Sequence, residues 1–127
     1  MRKLIPFLAF AAVAASGGAV QRRDDIPAAT PVGEARTCIP LRPIRETRVR
    51  SDRVIDFIAT GRRVYRVTLP QPCPQLGFER SFSYGTSLTQ LCAQDIITVL
   101  RQVNGIQPGA SCGLAPFQPV RLEGKTR

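Results

Sequence analysis

No histidine and no tryptophan occur in this 127-residue chain, and Lys3 and Lys125 are its only lysines. The missing histidine removes the usual general base near neutral pH, the commonest metal ligand and the imidazole half of Ser-His and Cys-His pairs. Carboxylates are scarce, 9 acidic against 18 basic residues, and no pair of them has a spacing that suggests acid/base work. A G-x-S-x-G elbow, a phosphate-cradling glycine loop and a calcium loop are all missing. The cysteines form no C-x-x-C pair, so without histidine a zinc site is not indicated. These absences argue against an enzyme, and neither a metal nor a cofactor is expected.

What is present begins with an address. Met1-Arg2-Lys3 forms a positive start, Leu4 to Ala15 is apolar apart from Pro6, and small residues follow through Ala19. This is the layout of a secretory signal peptide, with cleavage after Ala14 or, preferably, Ala19. Retention as a membrane helix is the alternative, but the apolar run falls short of the roughly 20 residues a span needs. No cysteine ends the run, so a bacterial lipid anchor is not indicated. Export to the periplasm or medium is the expectation, and no transmembrane segment is expected after cleavage. Cys38, Cys73, Cys92 and Cys112 are an even set in an oxidising compartment, and structural disulfides are the expected use.

Residues 1–19 therefore read as the leader and 20–36, with Pro27, Pro31 and no hydrophobic period, as a disordered linker. Residues 37–120 read as one domain and 121–127 as a flexible tail. The fold class expected is mostly β, a small antiparallel meander or partly closed barrel of five to six strands with at most one short helix. Ile44 to Val49, Val54 to Ala59 and Val64 to Leu69 are β-branched runs, and Gly61 suits a tight turn between the second and third. Pro70, Pro72 and Pro74 end the meander around Cys73 because proline cannot donate to a ladder. Residues 87–103 carry two patterns. Leu88, Leu91, Cys92, Ile96, Val99 and Val103 recur at helical spacing, with Ser87 and Gln90 as a capping box and Asn104-Gly105 as a C-cap. The block Ile96-Ile97-Thr98-Val99 instead fits a strand. Ser81 to Tyr84 and Ser111 to Phe117 are further strand candidates.

Cys38-Ile39 followed by three β runs and Cys73-Pro74-x-Leu76 resembles an uncharacterised family of small exported four-cysteine proteobacterial proteins, domain of unknown function 6491. Leu91-Cys92-x-x-Asp95 leading into Ile96-Ile97-Thr98-Val99, and the late Cys112, extend the resemblance over about Cys38 to Phe117. Gly113-Leu114-Ala115 departs from it, standing where such proteins often carry a more hydrophobic strand. The resemblance implies a β-rich fold with two disulfides and no activity. It also favours a short turn or helical piece at Thr86 to Leu91 and a strand from Asp95 to Leu100 over a helix through 87–103. In an up-down meander, the end of the third strand lies beside the start of the fifth run, which would pair Cys73 with Cys92, and the starts of the first and last strands lie at the opposite end, which would pair Cys38 with Cys112. Such bridges would close loops of roughly 20 and 75 residues and contribute about 3 and 4.5 kcal/mol.

The arginines are the unusual surface feature. Arg36, Arg42, Arg45, Arg48, Arg50, Arg53, Arg62, Arg63 and Arg66 crowd one stretch of a chain whose formal net charge is +9. Guanidinium groups bind phosphate and carboxylate bidentately, so Arg45, Arg48, Arg50 and Arg66 are the candidates for an anion-binding sheet face. The bland alternative is a solvated face that keeps the protein soluble. The partner expected is an anionic envelope component. A structural accessory protein that docks a protein partner in the periplasm is the second reading. Nucleic acid is not indicated, since Phe78, Phe82 and Tyr84 read as core rather than as stacking platforms. Asp95 is expected to cap a turn by accepting backbone N–H groups. Asp56, facing away from Ile55 and Phe57, should pair with an arginine of a neighbouring strand.

Overall fold

The computed structural model describes residues 26–86 and 89–123. The expected leader (1–19), the first part of the linker (20–25), Ser87 and Leu88 of the capping-box reading, and residues 124–127 lie outside the described residues.

The chain is mostly β. Its strands are β1 (Ala29–Pro31), β2 (Cys38–Pro40), β3 (Ile44–Val49), β4 (Val54–Ala59) and β5 (Val64–Thr68), followed by a one-turn helix α1 (Leu76–Glu79). Then come β6 (Phe82–Tyr84), β7 (Gln90–Cys92), β8 (Ile96–Gln102), β9 (Ile106–Gly113) and β10 (Gln118–Leu122). The meander β3-β4-β5 forms as the β-branched runs dictate, with Gly61 at φ 74° in the turn between β4 and β5. Instead of one small sheet or a barrel, the strands divide into three antiparallel sheets. The largest has the order β1-β10-β5-β4-β3, the second pairs β2 with β7, and the third has the order β6-β8-β9.

One face of the large sheet, carrying Val49, Ile55, Phe57, Tyr65 and Val67, shares a core with Ile97 and Val99 of the third sheet and Ile39 and Leu91 of the second. Phe57 meets Phe82 edge-on across the layers, with ring centroids 6.4 Å apart, and meets Phe117 at 5.6 Å. Leu76 plugs the core from α1 and is fully buried. The loop that carries it is tied back by Asp52, whose Oδ1 accepts the Gly77 N–H at 2.6 Å. A side chain at Gly77 would meet that same oxygen at 2.9 Å, which is why this close approach uses glycine.

The helical spacing over 87–103 does not yield a helix. Ile97 and Val99 are fully buried while Ile96 is about half exposed and Thr98 and Leu100 are intermediate, so the period is two and β8 is a strand. Asn104 and Gly105, at φ 52° and 100°, turn β8 into β9 rather than capping a helix. Two neighbouring positions of left-handed backbone are what the hairpin sequence Asn-Gly supplies.

The segment read as linker contains β1, which pairs residue by residue with β10, and Glu123 donates its N–H to the Ala28 carbonyl at 2.7 Å. The sheet therefore extends beyond 37–120 at both ends. Phe78 is also unlike its expected core role, being 71% exposed, and Tyr84 is exposed as well.

Both disulfides are present, but the pairing is Cys38–Cys92 and Cys73–Cys112. Cys38 and Cys92 are directly opposed across the β2–β7 ladder. Cys73 follows the exit from β5 and reaches across the layers to Cys112 on β9. The pairing differs from that of a single meander because the strands do not stay in one sheet: the chain changes layer after the prolines.

Burial separates the two bridges. Cys73 is fully buried and Cys112 packs against the core cluster, while Cys38 and Cys92 are half-buried and outside it. Exchange needs a thiolate to reach a sulfur. Under mild dithiothreitol, Cys38–Cys92 should open first, which alkylation of the released thiols and peptide mapping will show. Equal or reversed rates would contradict this assignment of the buried bridge.

Candidate functional site

Among the described residues no further layer covers the second face of the large sheet, yet that face is not uniformly polar. Cross-strand register places Glu46, Ile58, Val64, Val120 and Pro31 in one row across the sheet. Arg48, Asp56, Arg66 and Gln118 form the next row. Asp56 is wholly buried in this second row. Arg66 grips it through Nε to Oδ1 at 2.8 Å and Nη2 to Oδ2 at 3.0 Å, and Arg50 Nε reaches Oδ2 at 3.0 Å. The period-two reading placed Asp56 on this face, and the neighbouring strands supply its arginines. One carboxylate between two guanidiniums leaves a net positive charge and holds both arginines in place.

An open groove of about 1000 Å³ takes in part of this face, at Ile58, Val64 and Val120, and reaches round to Tyr65 and Pro119. Six arginines line it, Arg36, Arg48, Arg50, Arg62, Arg63 and Arg121, and no acidic residue does. Arg48 pairs with Glu46 at the exposed edge, and Arg121 lies 3.7 Å from Glu123. Arg36 donates to the Tyr65 hydroxyl at 3.3 Å and sits 5.9 Å from that ring's centroid, so its partners are neutral. Arg62 and Arg63 are exposed in the β4–β5 turn, and among the described residues neither is ion-paired. Between the guanidiniums the lining is apolar, including Val32, Ile58, Val64, Val120 and Leu122.

No family model, curated protein or solved structure gives a significant match to this chain.

Of the four arginines selected from sequence, the groove gathers Arg48 and Arg50 only. Arg45 is exposed at the β3 irregularity between Ile44 and Glu46 and does not line it. Arg66 is committed to Asp56 and is also outside the lining. Sequence selection missed Arg36, Arg62, Arg63 and Arg121. Arg62 and Arg63 were accessible from the Gly61 turn signal, because a hairpin tip next to Ile58 and Val64 must end on that face. Arg121 was hidden by reading 121–127 as a tail. Arg53 has a structural task instead, donating to the Leu69 carbonyl at 3.0 Å.

Asp95 lies away from the groove. Its Oδ2 accepts the Cys92 N–H at 2.7 Å, and its carbonyl accepts the Leu114 N–H at 2.9 Å. It thereby shapes the turn from β7 into β8. Among the described residues, no three His, Cys, Asp or Glu side chains gather in a way that could hold a metal ion. Among the same residues, no helix is long and apolar enough to cross a membrane.

Proposed function

We propose that this chain is an exported, non-enzymatic envelope module that holds an anionic partner in the arginine-lined groove. Six guanidiniums with no carboxylate among the lining residues are the observation that supports this reading. An open basic groove concentrates anions around it. The four cysteines and the basic, apolar start of the sequence support a periplasmic or secreted location. Kinship with domain of unknown function 6491 is part of the proposal and rests on the cysteine and Leu-Cys-x-x-Asp pattern.

The test is binding to vesicles of phosphatidylcholine doped with phosphatidylglycerol, against pure phosphatidylcholine. Affinity for the anionic vesicles should fall at least tenfold between ~0.05 and ~0.5 M salt, because exposed charges are screened over shorter distances. The R62Q/R63Q variant should bind several-fold more weakly at low salt with an unchanged melting temperature. Salt-independent binding, or a variant that binds as well as the parent, would remove the groove from the function.

A second reading, an accessory protein docking a protein partner, draws on the outer side of the third sheet, where Ile96 and Ile106 are 54% and 67% exposed. Thr98 and Ser111 interrupt that surface with their own hydrogen bond at 3.0 Å, so the groove is the better-built site.

A further inference from the structure

An uncovered sheet face normally alternates, with apolar residues inward and polar residues outward. Strands β4 and β5 do not follow that rule. Val54, Ile58 and Val64 are apolar on the uncovered side, as is Val120 of β10. Val54, Val64 and Val120 are buried and yet stand outside the main core cluster. Their burial belongs to this second face, on which Ile58 and Leu122 keep part of their surface exposed. Ile58, Val64 and Val120 are in direct register on three adjacent strands, forming an apolar track about 10 Å long at the usual strand spacing. Arg62 and Arg63 stand in the turn next to it, and Leu122 continues the apolar lining two residues beyond Val120.

Resting on the anion-binding reading above, we infer that the groove takes a phosphate monoester bearing a single alkyl or acyl chain. The chain lies on Ile58, Val64 and Val120, and the phosphate meets Arg62 and Arg63. A purely ionic ligand would leave the exposed parts of Ile58 and Leu122 wet, and a purely apolar one would leave the exposed Arg62 and Arg63 guanidiniums without a counter-charge. A phosphate with a chain satisfies both. The doubly charged head matches two adjacent guanidiniums, whose planar donors suit phosphate oxygens. The arginine stems add apolar wall while their heads stay in water.

The experiment compares methyl phosphate with dodecyl phosphate, the latter below its micelle concentration, by titration calorimetry on the purified exported form. Dodecyl phosphate should bind on the order of 100-fold more tightly, a fraction of what full burial of the added methylenes would supply. I58T and L122S should each erase most of that chain-length gain while leaving methyl phosphate affinity and melting temperature unchanged. R62Q/R63Q should weaken both ligands by the same factor. If the two phosphates bind equally, or the gain survives both apolar substitutions, the chain-binding track is wrong while the anion site stands. If neither ligand binds and the anionic vesicles do not bind either, the anion-binding reading itself falls.

Discussion

Replacing Asp56 by asparagine should cost about 3–5 kcal/mol, the usual penalty for stripping one partner from a buried ion cluster. Asparagine preserves the side-chain shape and one acceptor, so the loss reports charge rather than volume. Asp56 is wholly buried, and the side chains of Arg50 and Arg66 are only 12% and 14% exposed. Two guanidiniums would then lie side by side with no counter-charge in a site that water scarcely reaches. Set against a typical net stability of about 5–15 kcal/mol, that loss removes a large part of the reserve. For a domain of this size the melting temperature should fall by roughly 12 °C or more. Urea denaturation of D56N beside the parent provides the measurement. A control separates charge from packing: D56L combined with R50M and R66M should recover most of the stability, since apolar replacement of a whole buried cluster is often neutral. A D56N protein less than about 1 kcal/mol below the parent would mean that the cluster is solvated and not the sheet's electrostatic keystone.

Removing a disulfide should have an effect of the same order, and the two bridges can be told apart by amount. They span 54 and 39 residues. Chain entropy then assigns each about 4 kcal/mol, with the two differing by only about 0.3 kcal/mol in favour of Cys38–Cys92. Burial ranks them the other way. Cys73 is fully buried beside Leu76, and its bridge joins the two layers, whereas Cys38–Cys92 staples two strands already hydrogen-bonded to each other. The C73A/C112A protein should therefore lose more stability than C38A/C92A, the excess of ~1 kcal/mol or more coming from lost core packing. Denaturation midpoints of the two double variants decide it. Equal losses would mean that loop closure alone accounts for both bridges, and a larger loss for C38A/C92A would place the critical staple in the small β2–β7 sheet.

The contrast between legible and illegible parts follows the range of the interactions involved. The strands β3, β4 and β5 were readable because each is a β-branched run bounded by its own turn. The partnership of Asp56 with neighbouring arginines was readable because alternation along one strand fixes which way a side chain points. Residues 87–103 were ambiguous for the opposite reason. The apolar residues there satisfy both a helical and a strand period, and only the burial of Ile97 and Val99 between the more exposed Ile96, Thr98 and Leu100 separates them. Asn104-Gly105 carried the hairpin signal in plain view, but the same dipeptide also ends helices.

The groove shows the same division at the level of the site. That this protein would present a basic surface was written in its composition, and Arg48 on β3 and Arg50 just beyond it were found by position. The arrival of Arg36 and Arg121 beside them depends on β1 and β10 closing onto β5, a pairing between the two ends of the domain that no local pattern announces.

Strand identity, the inward and outward sides of β4 and β5, and the demand for two disulfides all came from local alternation, turn chemistry and composition. Which cysteines meet, how the strands divide among three sheets, and which arginines share one groove were settled by contacts between distant segments. Those contacts exist only once apolar faces are buried against each other, because each segment's own pattern is compatible with several partners and the shared core selects among them.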